Sequence, residues 1–198
     1  MSKEHFIGVP MRIWDGISGA AALIGLLALF GGGAFAVFEY VERKEAARAA
    51  ETLQMIEVWE TRGAEKAYLK IALALEEEIT GASETQQPPD DRLATIRDNI
   101  ARRALKAAGT DAYMTVSQFF TRLSLCIQAE LCSDTVAMTF FSQTLSDFRY
   151  WFADEINRRR KVTPTHGREV DWLLCRFLKM DPGITREHDD VRCAERNK

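Results

Sequence analysis

Residues Gly16–Phe38 read GISGAAALIGLLALFGGGAFAVF, 23 residues without a charge between Asp15 and Glu39. At about 1.5 Å of rise per residue this is roughly 34 Å of helix, slightly more than a hydrocarbon core of about 30 Å. Trp14 at one end and Phe38 and Tyr40 at the other suit the interfacial aromatic positions. A buried core helix this apolar would need a far larger domain to wrap it. A cleaved signal peptide is the other alternative, since Ala34-Phe-Ala36 has the small-x-small form of a cleavage site. Against it, the preceding segment is only weakly basic and carries Glu4 and Asp15. The expectation is a single transmembrane helix over 16–38, preceded by an N-terminal segment over 1–15.

Small residues recur on one side of that helix: Ala21, Gly25, Ala28, Gly32 and Ala36. Lipid gives helices no hydrophobic reason to associate, so close contact between them depends on such a strip. It marks a packing face for another membrane subunit, although alanine and glycine are also simply common in membrane helices.

Beyond Phe38 the helical register has no breaker. Glu39-Tyr-Val-Glu-Arg-Lys-Glu-Ala-Ala-Arg-Ala-Ala is rich in strong helix formers, so the anchor should continue as a stalk. Leu53, Ile56 and Trp59 give the stalk an apolar side. After Gly63, Ala64, Ala67, Tyr68, Ile71, Leu75 and Ile79 repeat at the i, i+3/i+4 spacing of an amphipathic helix. Stalk and first soluble helices are therefore expected over 39–79, with Glu76-Glu-Glu78 on a solvated face. Residues 80–91, TGASETQQPPDD, form a polar loop with a Pro-Pro breaker.

A helical bundle is expected over 92–180. Leu93, Ile96, Ile100 and Leu105 mark one helix that ends at Ala108-Gly109. A second runs through Val116, Phe119, Phe120, Leu123 and Ile127 and breaks near Leu131-Cys132. Ser133 or Asp134 caps a third, with Val136, Phe140, Phe141, Leu145, Phe148, Trp151, Phe152 and Ile156 on its apolar side. Arg158-Arg-Arg-Lys161 closes it, where cations suit the carbonyl end. A last helix over 168–180 carries Val170, Trp172, Leu173, Leu174, Phe177 and Leu178, and a polar tail occupies 181–198. With five prolines and twelve glycines in 198 residues, turn-makers are scarce and no period-two pattern persists. The fold class is all-α.

Four cysteines are present and none forms a C-x-x-C pair, which argues against structural zinc. Cys126 and Cys132 flank a tight break, and a disulfide between them is geometrically feasible, since a reversal within six residues can bring Cα atoms to about 5–6 Å. Cys193 sits in a charged tail, and pairing with Cys175 would explain its presence there. Two pairs point to an oxidising compartment; four reduced thiols, some filling the core, are the alternative. Flanking charge leaves orientation nearly even, with Lys3 and Arg12 before the anchor and Arg43, Lys44 and Arg48 after it.

A net charge of −3 gives no nucleic-acid footprint. His188-Asp-Asp with Cys193 makes a poor ligand set on a tail, so no metal and no cofactor is expected. No catalytic glycine, serine or histidine motif occurs, and no catalytic residue is assigned.

The order of these features resembles the bacterial domain-of-unknown-function family numbered 4760. The resemblance rests on Glu42-Arg-Lys44, Glu51-Thr-Leu-Gln-Met-Ile-Glu-Val-Trp59, Val116-Ser-Gln-Phe-Phe-Thr-Arg-Leu123, Ala129-Glu-Leu-Cys-Ser-Asp134, Trp151 and Glu169-Val-Asp-Trp-Leu173. It covers most of residues 17–175, and the Pro-Pro loop and the cysteine-bearing tail depart from it. It implies a small helical protein with one N-terminal membrane helix and carries no activity.

These readings combine into a bacterial inner-membrane, single-pass, non-enzymatic interaction protein. Its partners would be membrane lipid and other membrane subunits, with the soluble domain on the periplasmic side if the cysteines pair. A ligand-sensing or cofactor-holding domain, with a pocket among Phe119, Phe140, Trp151 and Trp172, is the alternative.

Overall fold

The computed structural model describes residues 5–6, 9–83, 93–183 and 193; before residue 35, and at 82, 83 and 93, it describes backbone alone. The chain divides into two compact units, Met1–Ala46 and Ala47–Lys198. Six helices account for nearly all of the described backbone: α1 (Met11–Thr61), α2 (Ala64–Ser83), α3 (Leu93–Ala108), α4 (Thr110–Gln128), α5 (Asp134–Arg160) and α6 (Arg168–Met180). The protein is all-α, as its periodicity predicts.

In the first unit, β1 (His5–Phe6) and β2 (Val9–Pro10) make a two-residue antiparallel pairing, His5 opposite Pro10. Helix α1 starts at Met11, five residues earlier than the expected boundary at Gly16. Most of the apolar stretch, with Ala21, Gly25, Ala28 and Gly32, lies outside the residues whose side chains are described. Among the described residues no helix is long and apolar enough to cross a membrane. The described end of the stretch is exposed on every side: Phe35, Val37, Phe38 and Tyr40 each expose more than three-fifths of their surface, and Ala36 is exposed too. Arg43 donates to Glu39 at 2.5 Å, an i, i+4 pair on an exposed face.

The second unit is a bundle of the last turns of α1 with α2–α6. Helix α2 packs on α3 and α4, and α6 on α4 and α5. Its centre is a cluster of rings. Trp59 lies 4.7 Å from Phe119, Phe120 lies 5.8 Å from Phe148, and Tyr113 stacks on Phe148 at 5.4 Å. Edge-to-face and offset ring pairs add about 0.5–1.5 kcal/mol each beyond burial, which favours one fixed arrangement. Helix breaks fall where glycine permits them. Gly167 (φ 67°) turns the chain from α5 into α6, and a Cβ there would meet Ile156 Cγ2 at 2.7 Å. Ser133 caps α5, its Oγ accepting from Val136 N, as the sequence pattern predicts.

Three expectations need correction. Thr80–Ser83 belong to α2 rather than to a loop; the helix runs on to Ser83, with the Thr80 hydroxyl donating to Glu76 O within it. Phe140 is 56% exposed, because α5 turns Phe141, Leu145, Phe148, Phe152 and Ile156 inward and leaves Phe140 on the outer flank. Leu53 is likewise 54% exposed, and the fully buried neighbour is Thr52.

Candidate functional site

Three places in the bundle carry polar chemistry. The first is the reversal between α4 and α5. Cys126 and Cys132 are joined by a disulfide, Sγ–Sγ 2.07 Å and Cα–Cα 5.3 Å, the pairing the spacing suggested. Leu131 N and Cys132 N both donate to Cys126 O, and Glu130 takes the left-handed conformation at φ 57°. For a residue with a Cβ that conformation costs about 1–2 kcal/mol. Arg48 of α1 offsets it, donating from Nε to Glu130 O at 2.7 Å and from its guanidinium to the Glu130 carboxylate at 2.5 Å. Ser133 N donates to Thr52 Oγ1 at 2.7 Å. The disulfide-closed turn is thus the socket into which α1 is fastened. The second disulfide, Cys175–Cys193, ties the tail to α6 with Cα atoms 5.5 Å apart.

The second place is the C-terminal end of α5. Tyr113 is fully buried, its hydroxyl 2.9 Å from His166 Nε2, with the Arg159 guanidinium 4.7 Å above its ring. Burial pushes the Tyr113 hydroxyl far up. Burial, then the Arg159 and Arg160 charges, lower His166 below its ordinary value. At Glu155 burial acts upward, but hydrogen bonds from Arg158 and Arg159 outweigh it and hold the carboxyl below its usual range. Asp98 is lowered in the same way: burial raises it, and Arg102 and Arg158 more than compensate. The Arg158–Arg160 run is therefore spent on carboxylates within the fold. Arg158 reaches Asp98 and Glu155, Arg159 reaches Glu155, and Arg160 reaches Asp171. Sequence reading took these as cations at a helix end and missed the partners, which lie on α3, α5 and α6. It also missed Arg149, whose buried side chain donates to Asp171 at 2.6 Å. The signal was present: Arg149 follows Phe148 on the face that carries Leu145 and Phe152.

The third place is a groove between α2 and α5, a cavity of about 290 Å³. Ile71, Leu75, Phe148 and Phe152 form its floor, and Tyr68 and Trp151 stand at its sides. Glu76 and Asp147 also line it. Helix α5 leaves helical geometry at Phe152 (φ −104°, ψ 18°), so the kink falls in the turn that lines this groove. Of the four residues expected to share a pocket, only Trp151 lines this one. Phe119 is buried beside Trp59 and Phe140 is exposed. His188 lies outside the described residues, and Cys193 is in a disulfide. Among the described residues no cluster of three or more His, Cys, Asp or Glu is arranged to hold a metal ion.

No protein-family model, curated protein or solved structure matches the chain.

Proposed function

We propose that this chain is a membrane-anchored, non-enzymatic interaction protein, an accessory or assembly subunit of a larger complex in a bacterial inner membrane. The observation that carries the reading is the exposed apolar end of the uncharged run, Phe35, Val37 and Phe38, with Tyr40 and Val41 just beyond Glu39. An apolar surface on all sides of a helix calls for lipid or protein around it. The small-residue face Ala21, Gly25, Ala28, Gly32 and Ala36 supports a protein neighbour on one side and lipid on the other. The two disulfides support a periplasmic position for the bundle. The resemblance to family 4760 supports the same plan.

The test is cross-linking in intact cells followed by gentle solubilisation. A defined heteromeric species that persists through purification is expected. A lone monomer without co-migrating protein overturns the subunit reading, and release of the full chain by alkaline carbonate overturns the anchor. The groove between α2 and α5 favours a second reading, a tethered ligand-binding domain.

A further inference from the structure

The turn that joins α5 to α6 is lightly held. Residues 161–165 are exposed, and main-chain bonds run from Thr163 N to Arg159 O, from His166 N to Thr163 O and from Arg168 N to Thr165 O. Arg160 Nε donates to the His166 carbonyl at 2.8 Å. Among the described residues, a single side-chain hydrogen bond joins this turn to the core, between His166 Nε2 and the hydroxyl of fully buried Tyr113 at 2.9 Å. Helix α6 is anchored independently of the turn. Val170, Leu173, Leu174 and Phe177 are fully buried, and Cys175 is bridged to Cys193.

That bond exists in one protonation state of the ring. Tyr113 keeps its proton, because burial pushes its hydroxyl far up. It therefore donates and His166 Nε2 accepts, which leaves the ring proton on Nδ1. A second proton must go to Nε2. It turns the acceptor into a donor, and the Tyr113 hydroxyl proton is then left buried with no acceptor among the described residues. It also sets a cation beside two others. The Arg159 guanidinium lies 4.7 Å above the Tyr113 ring, on which the imidazole stacks at 6.0 Å, and Arg160 bonds the His166 main chain. Glu155 on α5 and Glu169 on α6 act the other way. Glu155 is already bonded by Arg158 and Arg159, and burial with the Arg159 and Arg160 charges outweighs both carboxylates. A ring turned out into water takes the proton without either penalty. We propose that the α5–α6 turn is a proton-operated latch: neutral His166 holds residues 161–167 against Tyr113, and protonated His166 turns outward and releases them while α6 stays docked. The surface at this end of the bundle then depends on pH. The latch does not depend on the membrane-subunit reading.

The test is amide hydrogen exchange of the full chain in mild detergent, read by NMR as protection factors between pH 7.5 and pH 5.5. Release takes up one proton, so protection at Thr163, His166 and Arg168 should fall by about threefold to tenfold across that range. Because the turn opens without the rest of the bundle, its protection should stay at least about tenfold below that of Leu174 and Phe177 at every pH. Glutamine can accept from Tyr113 and does not titrate, so His166→Gln should abolish the fall at the turn. Nitrogen spectra of the imidazole add a measurement that leaves His166 in place: its proton should sit on Nδ1 at pH 8, and Arg159→Gln should raise its titration midpoint. Turn protection unchanged down to pH 5.5, an equal fall in His166→Gln, protection equal to that of Leu174 and Phe177, a ring proton on Nε2 at pH 8, or a midpoint indifferent to Arg159→Gln each overturns the proposal.

Discussion

Replacing both Cys126 and Cys132 by alanine measures what the disulfide-closed turn contributes. The native turn has other restraints: Leu131 N and Cys132 N bond Cys126 O, Ser133 N bonds Thr52 Oγ1, and Arg48 grips Glu130. The folded state should keep its shape without the bridge, so the loss falls on the unfolded chain, which regains the freedom of an open loop. The bridge closes a loop with a sequence separation of 6, and the chain-entropy relation gives about 8 cal/mol/K for it, or about 2.4 kcal/mol at 25 °C. For a bundle spanning Ala47–Lys198, each kcal/mol moves Tm by about 2–4 °C, so a fall of roughly 5–10 °C is expected. Melting of the full chain in mild detergent, followed by circular dichroism at 222 nm without reductant, reads this directly. A Tm within 1 °C of the unmodified chain would refute the reasoning. So would a much larger loss with collapse of helicity, because the turn would then depend on the bridge for its native shape.

The ring cluster and its outer flank should separate cleanly: Phe120→Ala costs about 3–5 kcal/mol in denaturant unfolding, whereas Phe140→Ala stays within about 0.5 kcal/mol. Asp171→Ala removes the carboxylate that buried Arg149 shares with Arg160 and should cost about 3 kcal/mol, and the double change Arg149→Met with Asp171→Leu should recover part of that loss. His166 has its pKa lowered by folding, so the unfolded chain binds the extra proton first; stability is full above about pH 6.5 and declines as pH falls through that value. Glu155 and Asp98, also lowered, add a further decline as pH drops through their depressed folded-state values, and His166→Gln should flatten only the upper step in unfolding midpoints taken from pH 4 to 8. Maleimide labelling of intact cells without reductant should modify no cysteine, and labelling at Cys126 or Cys175 would place the domain in a reducing compartment.

Helix positions and most of the core were legible in the sequence because a 3.6-residue period and a few breakers are enough to set them. Arg168–Met180 follows from its apolar ladder between Gly167 and Asp181, and Ser133 from its capping chemistry. The Cys126–Cys132 pair was legible as a feasible bridge across a six-residue reversal, with reduced thiols as the alternative, and the structure forms the bridge. The misses have physical causes. Residues 80–83 contain Thr, Gly, Ala and Ser, weak helix formers on average, yet a helix already nucleated over Ala64–Ile79 propagates through them at little cost per residue. Phe140 lies about 100° around the helix from Phe141, and an aromatic pair gives no hint which of the two turns inward. The groove was invisible for another reason. Periodicity tells which face of α2 and of α5 is apolar but not how closely the two faces meet, and Ile71, Leu75, Phe148 and Phe152 read as ordinary core in either case.

Arg48, Thr52 and Trp59 fasten the last turns of α1 to the other helices of the bundle. They lie on α1, and they bind the bundle at the Glu130 turn and at the ring cluster. Arg48 bonds both the carbonyl and the carboxylate of Glu130, which takes the left-handed conformation beside the bridge between Cys126 and Cys132. A helix secured only by its apolar face could slide by a turn at modest cost, since one alanine-rich register packs much like the next. A guanidinium bonded at both a carbonyl and a carboxylate fixes a single register, because a one-residue rotation breaks both bonds together. Within the bundle, Arg48 and Thr52 therefore seat the last turns of α1 on the Glu130 turn in one register.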